Sequence, residues 1–255
     1  MKFDIIKAAL YTAVVYVATV VVQVSTPATG GYFNLGETAI YVAAVLTNPL
    51  TAAVAGGVGS ALADLTTGYS YYSPGTLIIK FIEGFTVAYL ISRLKGWSLA
   101  RSKVASVITG IAVGAVIAFI GYTQLSGKAT VSSAPIQVLG LKISSVGFNT
   151  YLPGAFWLTI GAIVAALLIY AALAKGGRNI HIALSIIIGG SLMVLGYFLY
   201  EYFFVNPVVL KSPPIQAATE IPVNYGQVFV GLAVASPIAA FVREAVGSEA
   251  KDTGS

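Results

Sequence analysis

The run Thr38–Ala63 holds 26 residues without one charged side chain. As one helix it would be about 39 Å long at 1.5 Å per residue, longer than the roughly 30 Å hydrocarbon core of a bilayer. In lipid every backbone N–H and C=O must be satisfied internally, which leaves helices or closed barrels. Further apolar spans occupy Asp4–Val24, Gly75–Ser92, Ser102–Tyr122, Ala155–Ala174, Ile180–Phe204 and Gln227–Phe241. Only 9% of the 255 residues are charged, against about a quarter in soluble domains. The sequence therefore predicts an all-α, polytopic membrane helix bundle in the cell membrane. It forms a single domain over 1–246, with a polar cytoplasmic tail over 247–255. The first apolar span is long for a cleaved signal, so it is expected to be a retained helix.

Asn48–Pro49 interrupts the long uncharged run, and proline ends or kinks a helix. The run is then one kinked crossing or two short ones, Glu37–Thr47 and Leu50–Thr66. With two crossings and an inner N-terminus, Lys2, Lys7, Arg93, Lys95, Arg101, Lys103, Lys175, Arg178, Arg243 and Lys251 lie inside. Lys128, Lys142 and Lys211 lie outside. That is ten against three, whereas one crossing gives at best eight against five. Excess cytoplasmic Lys and Arg favours two crossings, hence eight helices and both termini inside.

The outer connections are then long: Ser25–Gly36, Thr123–Gly154 and Val205–Tyr225, the last with four prolines. Partial alternation within Thr123–Gly154 suggests a small β-hairpin. Small residues recur at Ala8–Ala13, Ala55–Ala63 and Gly110–Gly114, where they let helix backbones approach closely.

Several function classes are absent from the text. Without cysteine there is no disulfide, thiolate metal site or Cys nucleophile. No G-x-x-x-x-G-K-[ST] stands in the chain; "GYTQLSGKA" has the wrong spacing. The one histidine, His181, falls at a helix end and reads as interfacial. Neither G-x-S-x-G nor H-E-x-x-H occurs. No enzyme activity, metal, cofactor or nucleic-acid partner is expected.

The polar residues inside the spans carry more information. Each ionisable group costs about 2.5–3.5 kcal/mol to insert and usually faces protein or water. "TLIIKFIEGF" (Thr76–Phe85) places Lys80 and Glu83 three residues apart, with Lys80 about 8 Å below the outer start of its helix. Glu37, Asp64, Glu201, Asn224 and Gln227 fall at the same outer level, beneath a loop holding Tyr69, Tyr71 and Tyr72. Two readings compete. The cluster locks helices together through a Lys80–Glu83 pair joined by Asp64, or it lines a pocket open to the outside.

The order of short motifs then matters. Phe33–Glu37 reads F-N-L-G-E, and Ala63–Leu65 reads A-D-L. Gly68–Tyr69 and Tyr72 to Pro74 form a G-Y…Y-x-P loop, and Thr76–Gly84 reads T-L-I-I-K-F-I-E-G. In this order they resemble the substrate-binding S component of energy-coupling factor (ECF) transporters, in the riboflavin-type branch. "MVLGYFLYEYFF" (Met193–Phe204) and "ATEIPVNYGQVFVG" (Ala218–Gly231) look like that family's last two helices.

The resemblance implies a six-helix binding subunit that captures a vitamin-like micronutrient, riboflavin or another small neutral or cationic vitamin. It implies a membrane coupling subunit and two ABC-type ATPases as partners. It points to Asn34, Tyr72, Lys80, Glu83, Tyr197, Glu201, Asn224 and Gln227 as substrate-binding, with Glu37 and Asp64 in support. An A-x-x-x-A pair, Ala9 and Ala13, matches the family's contact with the coupling subunit. The chain departs from the family pattern at 102–174, read as an inserted helical pair with a long outer loop between core segments 1–95 and 180–246. A stand-alone secondary transporter or channel, or a structural subunit of another membrane complex, is the alternative.

Overall fold

The computed structural model describes residues 3–26, 30–124, 126–132, 136–138, 141–143, 147–173 and 180–252. Among them eight α-helices form the bundle: α1 (Ile5–Val21), α2 (Gly36–Leu46), α3 (Pro49–Thr67), α4 (Ser73–Leu94), α5 (Leu99–Gln124), α6 (Gly154–Leu173), α7 (Ile180–Tyr200) and α8 (Glu220–Asp252). Lys103–Thr123 and His181–Leu210 are each long and apolar enough to span a membrane alone. Large apolar side chains also face outward, with Ile6 at 79% and Phe119 at 69% exposure. Such a surface suits lipid rather than water.

Asn48–Pro49 is the break between two antiparallel helices. The Asn48 side chain accepts from the Thr51 N–H at 3.0 Å, and Pro49 takes the first helical position, where no N–H is needed. Gly56 of α3 lies against Ile40 of α2 and the Lys80 backbone of α4, so the chain reverses at the break. The run is thus two helices, as the charge distribution favours, rather than one kinked helix. α3 ends at Gly68, whose φ of +93° is left-handed backbone that glycine adopts without strain.

Small residues let the helices touch. A Cβ on Gly84 would meet the Ala52 carbonyl oxygen at 2.6 Å, and one on Gly57 would meet that of Leu77 at 2.7 Å. Gly114 and Gly161 do the same between α5 and α6, where a Cβ on either would collide with the other's carbonyl oxygen. α5 and α6 pack chiefly on one another, with α5 also reaching α7. The main core runs through α2, α4, α7 and α8, around Ile40, Val87, Ile187, Met193 and Val228.

The connections at one end are more ordered than the sequence implied. β1 (Val22–Thr26) and β2 (Gly31–Asn34) form an antiparallel hairpin within the first loop. The α5–α6 connection supplies β3 (Gly127–Ser132) paired with β6 (Gly147–Leu152), and β4 (Ile136–Val138) paired with β5 (Leu141–Ile143). The single hairpin expected there is thus two antiparallel pairs. β4 also pairs with β1, from Val22↔Val138 to Val24↔Ile136, giving a sheet of order β2-β1-β4-β5.

Two boundaries differ from expectation. Val205–Tyr225 is not an open loop: a π-helical segment, Glu201–Leu210, extends α7, and a 3-10 segment follows at Pro214–Thr219. The wider π turn accommodates Pro207 inside a helix. α8 starts at Glu220 rather than near Gln227, and it continues through Asp252 into the stretch expected as a tail. Pro222 falls in its first turn, where a missing N–H costs nothing.

Candidate ligand-binding site

α2 and α4 meet through four buried polar groups. Glu37 and Tyr41 stand one turn apart on α2, so both face the same neighbour. Across from them, Lys80 and Glu83 stand three apart on α4. The Lys80 ammonium donates to Glu37 Oε1 and, at 3.3 Å, to Glu83 Oε2. The Tyr41 hydroxyl donates to Glu83 Oε1 at 2.8 Å. Lys80 is thus held by two carboxylates in a dry setting, where removing one partner leaves an uncompensated charge. The expected Lys80–Glu83 pair is present. Its third member is Glu37 rather than Asp64.

Above this lock, at the strand-bearing end, lies a polar cavity built from several elements. β2 contributes Tyr32 and Asn34, and α3 contributes Asp64. Tyr72, just before α4, and Lys80 form a second wall; Tyr197 and Glu201 of α7 and its π extension form a third. Glu220, Asn224 and Gln227 of α8 complete it. The open space among these side chains is about 30 Å³, room for one water molecule.

Hydrogen bonds tie the walls in pairs. The Tyr32 hydroxyl donates to Asp64 Oδ1 at 2.6 Å, fastening the hairpin to α3. Burial, then the adjacent Asp64 carboxylate, holds the Tyr32 hydroxyl well above the usual tyrosine range, so it remains a donor. Tyr72 donates to Glu201 Oε1 at 3.1 Å. The Asn34 N–H donates to Gln227 Oε1 at 3.2 Å, and Gln227 Nε2 donates to Asn224 Oδ1 at 2.9 Å. Tyr197 donates to Thr76 Oγ1 at 3.0 Å. Its ring lies 6.3 Å from that of Tyr72, edge-on, and 5.3 Å from the Lys80 ammonium. At the hairpin turn, Tyr71 donates to the Gly30 carbonyl at 2.9 Å.

Asp64 and Glu201 are 3% and 2% exposed, yet Asp64 Oδ2 and Glu201 Oε2 have no hydrogen-bond partner. Buried acceptors left in that state cost free energy, and a donor from elsewhere can recover it.

Of the residues singled out in the sequence, Asn34, Asp64, Tyr72, Lys80, Tyr197, Glu201, Asn224 and Gln227 all line this cavity. Glu37 and Glu83 do not; they lie behind Lys80. Tyr32, Thr76 and Glu220 line it without having been singled out. Glu220 had a legible signal, since Glu220, Asn224 and Gln227 follow the i, i+4, i+7 spacing of one helix face. Tyr32 had none, because only strand pairing turns it inward.

Ala9 and Ala13 sit elsewhere. Both are exposed on α1, beside a shallow apolar groove shared with Val54 and Leu62 of α3.

Comparison with known proteins bears on this arrangement. The family model described as ECF-type riboflavin transporter, S component, matches residues 3–175, from the start of α1 through α6. A Pyrococcus woesei protein described as "Uncharacterized protein in gap 3'region" is 37% identical over 113 residues, covering 44% of this chain and 70% of its own length. No solved structure matches.

Proposed function

The chain belongs to the family of ECF-type riboflavin transporter S components, and we propose from that premise that it is the substrate-binding subunit of an ATP-driven importer. The observation that carries the reading is the polar cavity at the strand-bearing end. Five helices and a β-hairpin converge there, and two buried carboxylate oxygens await a donor. A helix lock alone has no need of such a cavity. The ligand is a vitamin-like micronutrient, riboflavin or another small neutral or cationic vitamin. Asn34, Asp64, Tyr72, Lys80, Tyr197, Glu201, Asn224 and Gln227 contact it, while Glu37 and Glu83 hold the wall in shape.

The strand-bearing end faces outward in this reading, with both termini in the cytoplasm and the chain multi-pass in the plasma membrane. Pockets for drug-sized ligands measure roughly 300–1,000 Å³, far more than the present space. The β1–β2 hairpin, attached through Tyr32, Asn34 and Tyr71, is the wall that moves to admit one. Transport draws on a membrane coupling subunit and two ABC-type ATPases, and the exposed Ala9–Ala13 face of α1 is where the coupling subunit docks. Small residues at that spacing allow a partner helix to lie close. Segments 1–95 and 180–246 form the binding core. The α5–α6 pair over 102–174, which the family match also spans, buttresses the hairpin through β4. The chain carries no catalysis of its own.

The test is purification in mild detergent, mass spectrometry of retained small molecules, and co-expression with coupling subunit and ATPases. A bound micronutrient and co-purification of the partners are expected. A chain that binds no micronutrient and never co-purifies with them would refute the proposal.

A further inference from the structure

The charge balance of the cavity narrows the ligand class, if the cavity is the substrate site proposed above. Among the described residues, the cavity and the lock behind it hold five carboxyl groups, Glu37, Asp64, Glu83, Glu201 and Glu220, against one ammonium, Lys80. Lys80 is already engaged by Glu37 and Glu83. Among the described residues no ion pair joins it to Asp64 or Glu201.

Asp64 and Glu201 are built on one plan, with Thr76 an additional hydrogen-bond neighbour of Asp64. Each is almost fully buried, and each has one oxygen fixed by a tyrosine hydroxyl, from Tyr32 and Tyr72 respectively. Each presents its second oxygen without a partner. The tyrosines hold the two carboxylates in position and leave one acceptor free on each. An anionic ligand would meet like charge in a dry site. A neutral ring could donate hydrogen bonds but would leave the charge uncompensated. A cation with N–H groups satisfies both demands. The rings of Tyr72 and Tyr197, set edge-on to one another, add aromatic faces that attract positive charge.

We infer that the substrate is a small organic cation, a flat heteroaromatic ring carrying ammonium or amino N–H donors, bound with those donors on Asp64 Oδ2 and Glu201 Oε2. The amides of Asn34, Asn224 and Gln227 read the ring's uncharged edge. The class differs from the neutral flavin in the family's description.

The experiment is calorimetric titration of the full chain in lipid nanodiscs. Two heteroaromatic cations with N–H donors, thiamine and pyridoxamine, are compared with riboflavin and with the anion folate. The expected result is that a cation binds at least tenfold more tightly than riboflavin or folate. Asp64→Asn and Glu201→Gln, near-isosteric changes, are each expected to weaken cation binding about ten- to a hundredfold, as for a lost charged hydrogen bond. Melting temperature and gel-filtration profile verify that the variants fold; if one does not, the ranking of probes on the unaltered chain decides alone. Tighter binding of riboflavin or folate, or unchanged cation affinity in both folded variants, overturns the inference while leaving the binding-subunit reading intact. If no probe binds and no small molecule is retained through purification, both fall.

Discussion

Lys80 of α4 is ion-paired to Glu37 of α2 across 43 positions of sequence, and this contact joins the bundle's structural lock to the floor of its cavity. Lys80 lines the cavity and is paired with both Glu37 and Glu83. Replacing it by methionine keeps the volume but leaves two carboxylates buried without their cation. We expect Lys80→Met to lower stability by about 3–5 kcal/mol, read as a fall in melting temperature in detergent. Lys80→Met combined with Glu37→Gln should recover part of that loss. A single mutant as stable as the unaltered protein would show that the pair is not a lock.

The two tyrosine–carboxylate pairs act on ligand binding more than on folding. Tyr72→Phe removes the donor to Glu201 and lets that carboxylate turn away from its present direction. Affinity for the retained micronutrient should fall about tenfold, near 1.4 kcal/mol, with a smaller fall in melting temperature than Lys80→Met produces. Titration of both proteins measures it.

How much of this was legible in the sequence depends on the range of the contacts. The break at Asn48–Pro49 could be read because capping and proline geometry are local. The apolar spans could be read because lipid permits little else. The outer level of Lys80, Asp64 and Glu201 followed from counting residues along helices. The partner of Lys80 could not be read, since several carboxylates shared that level and only helix packing selects Glu37. The pairing of β1 with β4 joins segments more than a hundred residues apart, with no local signal. The helical conformation of Val205–Leu210 was hidden by Pro207, which argues against an α-helix but not against a π turn.

Close packing of α3 on α4 sets a steric prediction. Gly84→Val would drive its Cβ toward the Ala52 carbonyl, now 2.6 Å from where that Cβ would stand. Overpacking of this kind costs about 1–3 kcal/mol, so the variant should melt earlier. Gly96→Val, whose Cβ meets nothing within 4 Å, should not. Equal melting of the two would argue against the α3–α4 contact.

The Ala9–Ala13 face gives a prediction separable from binding. Both residues are exposed on α1, away from the cavity. Ala9→Trp should abolish co-purification with the coupling subunit while leaving ligand affinity within about twofold, a difference under roughly 0.5 kcal/mol. Retained co-purification would place the docking surface elsewhere.

The β1–β4 pairing predicts a kinetic effect. Replacing residues 127–152 with a short Gly-Ser link removes the strand that holds β1 from outside. Losing about one net hydrogen bond's worth of restraint, near 1 kcal/mol, should speed ligand release about fivefold. Stopped-flow dissociation measures this, and an unchanged rate would show that β4 does not restrain the hairpin.

The most direct test of the central claim is uptake of the retained micronutrient by cells carrying this chain, with and without coupling subunit and ATPases. Stoichiometric binding by the isolated chain without ATP is expected, with uptake only when the ATPases are present and active. Uptake that persists without them, and collapses with a protonophore, would contradict it.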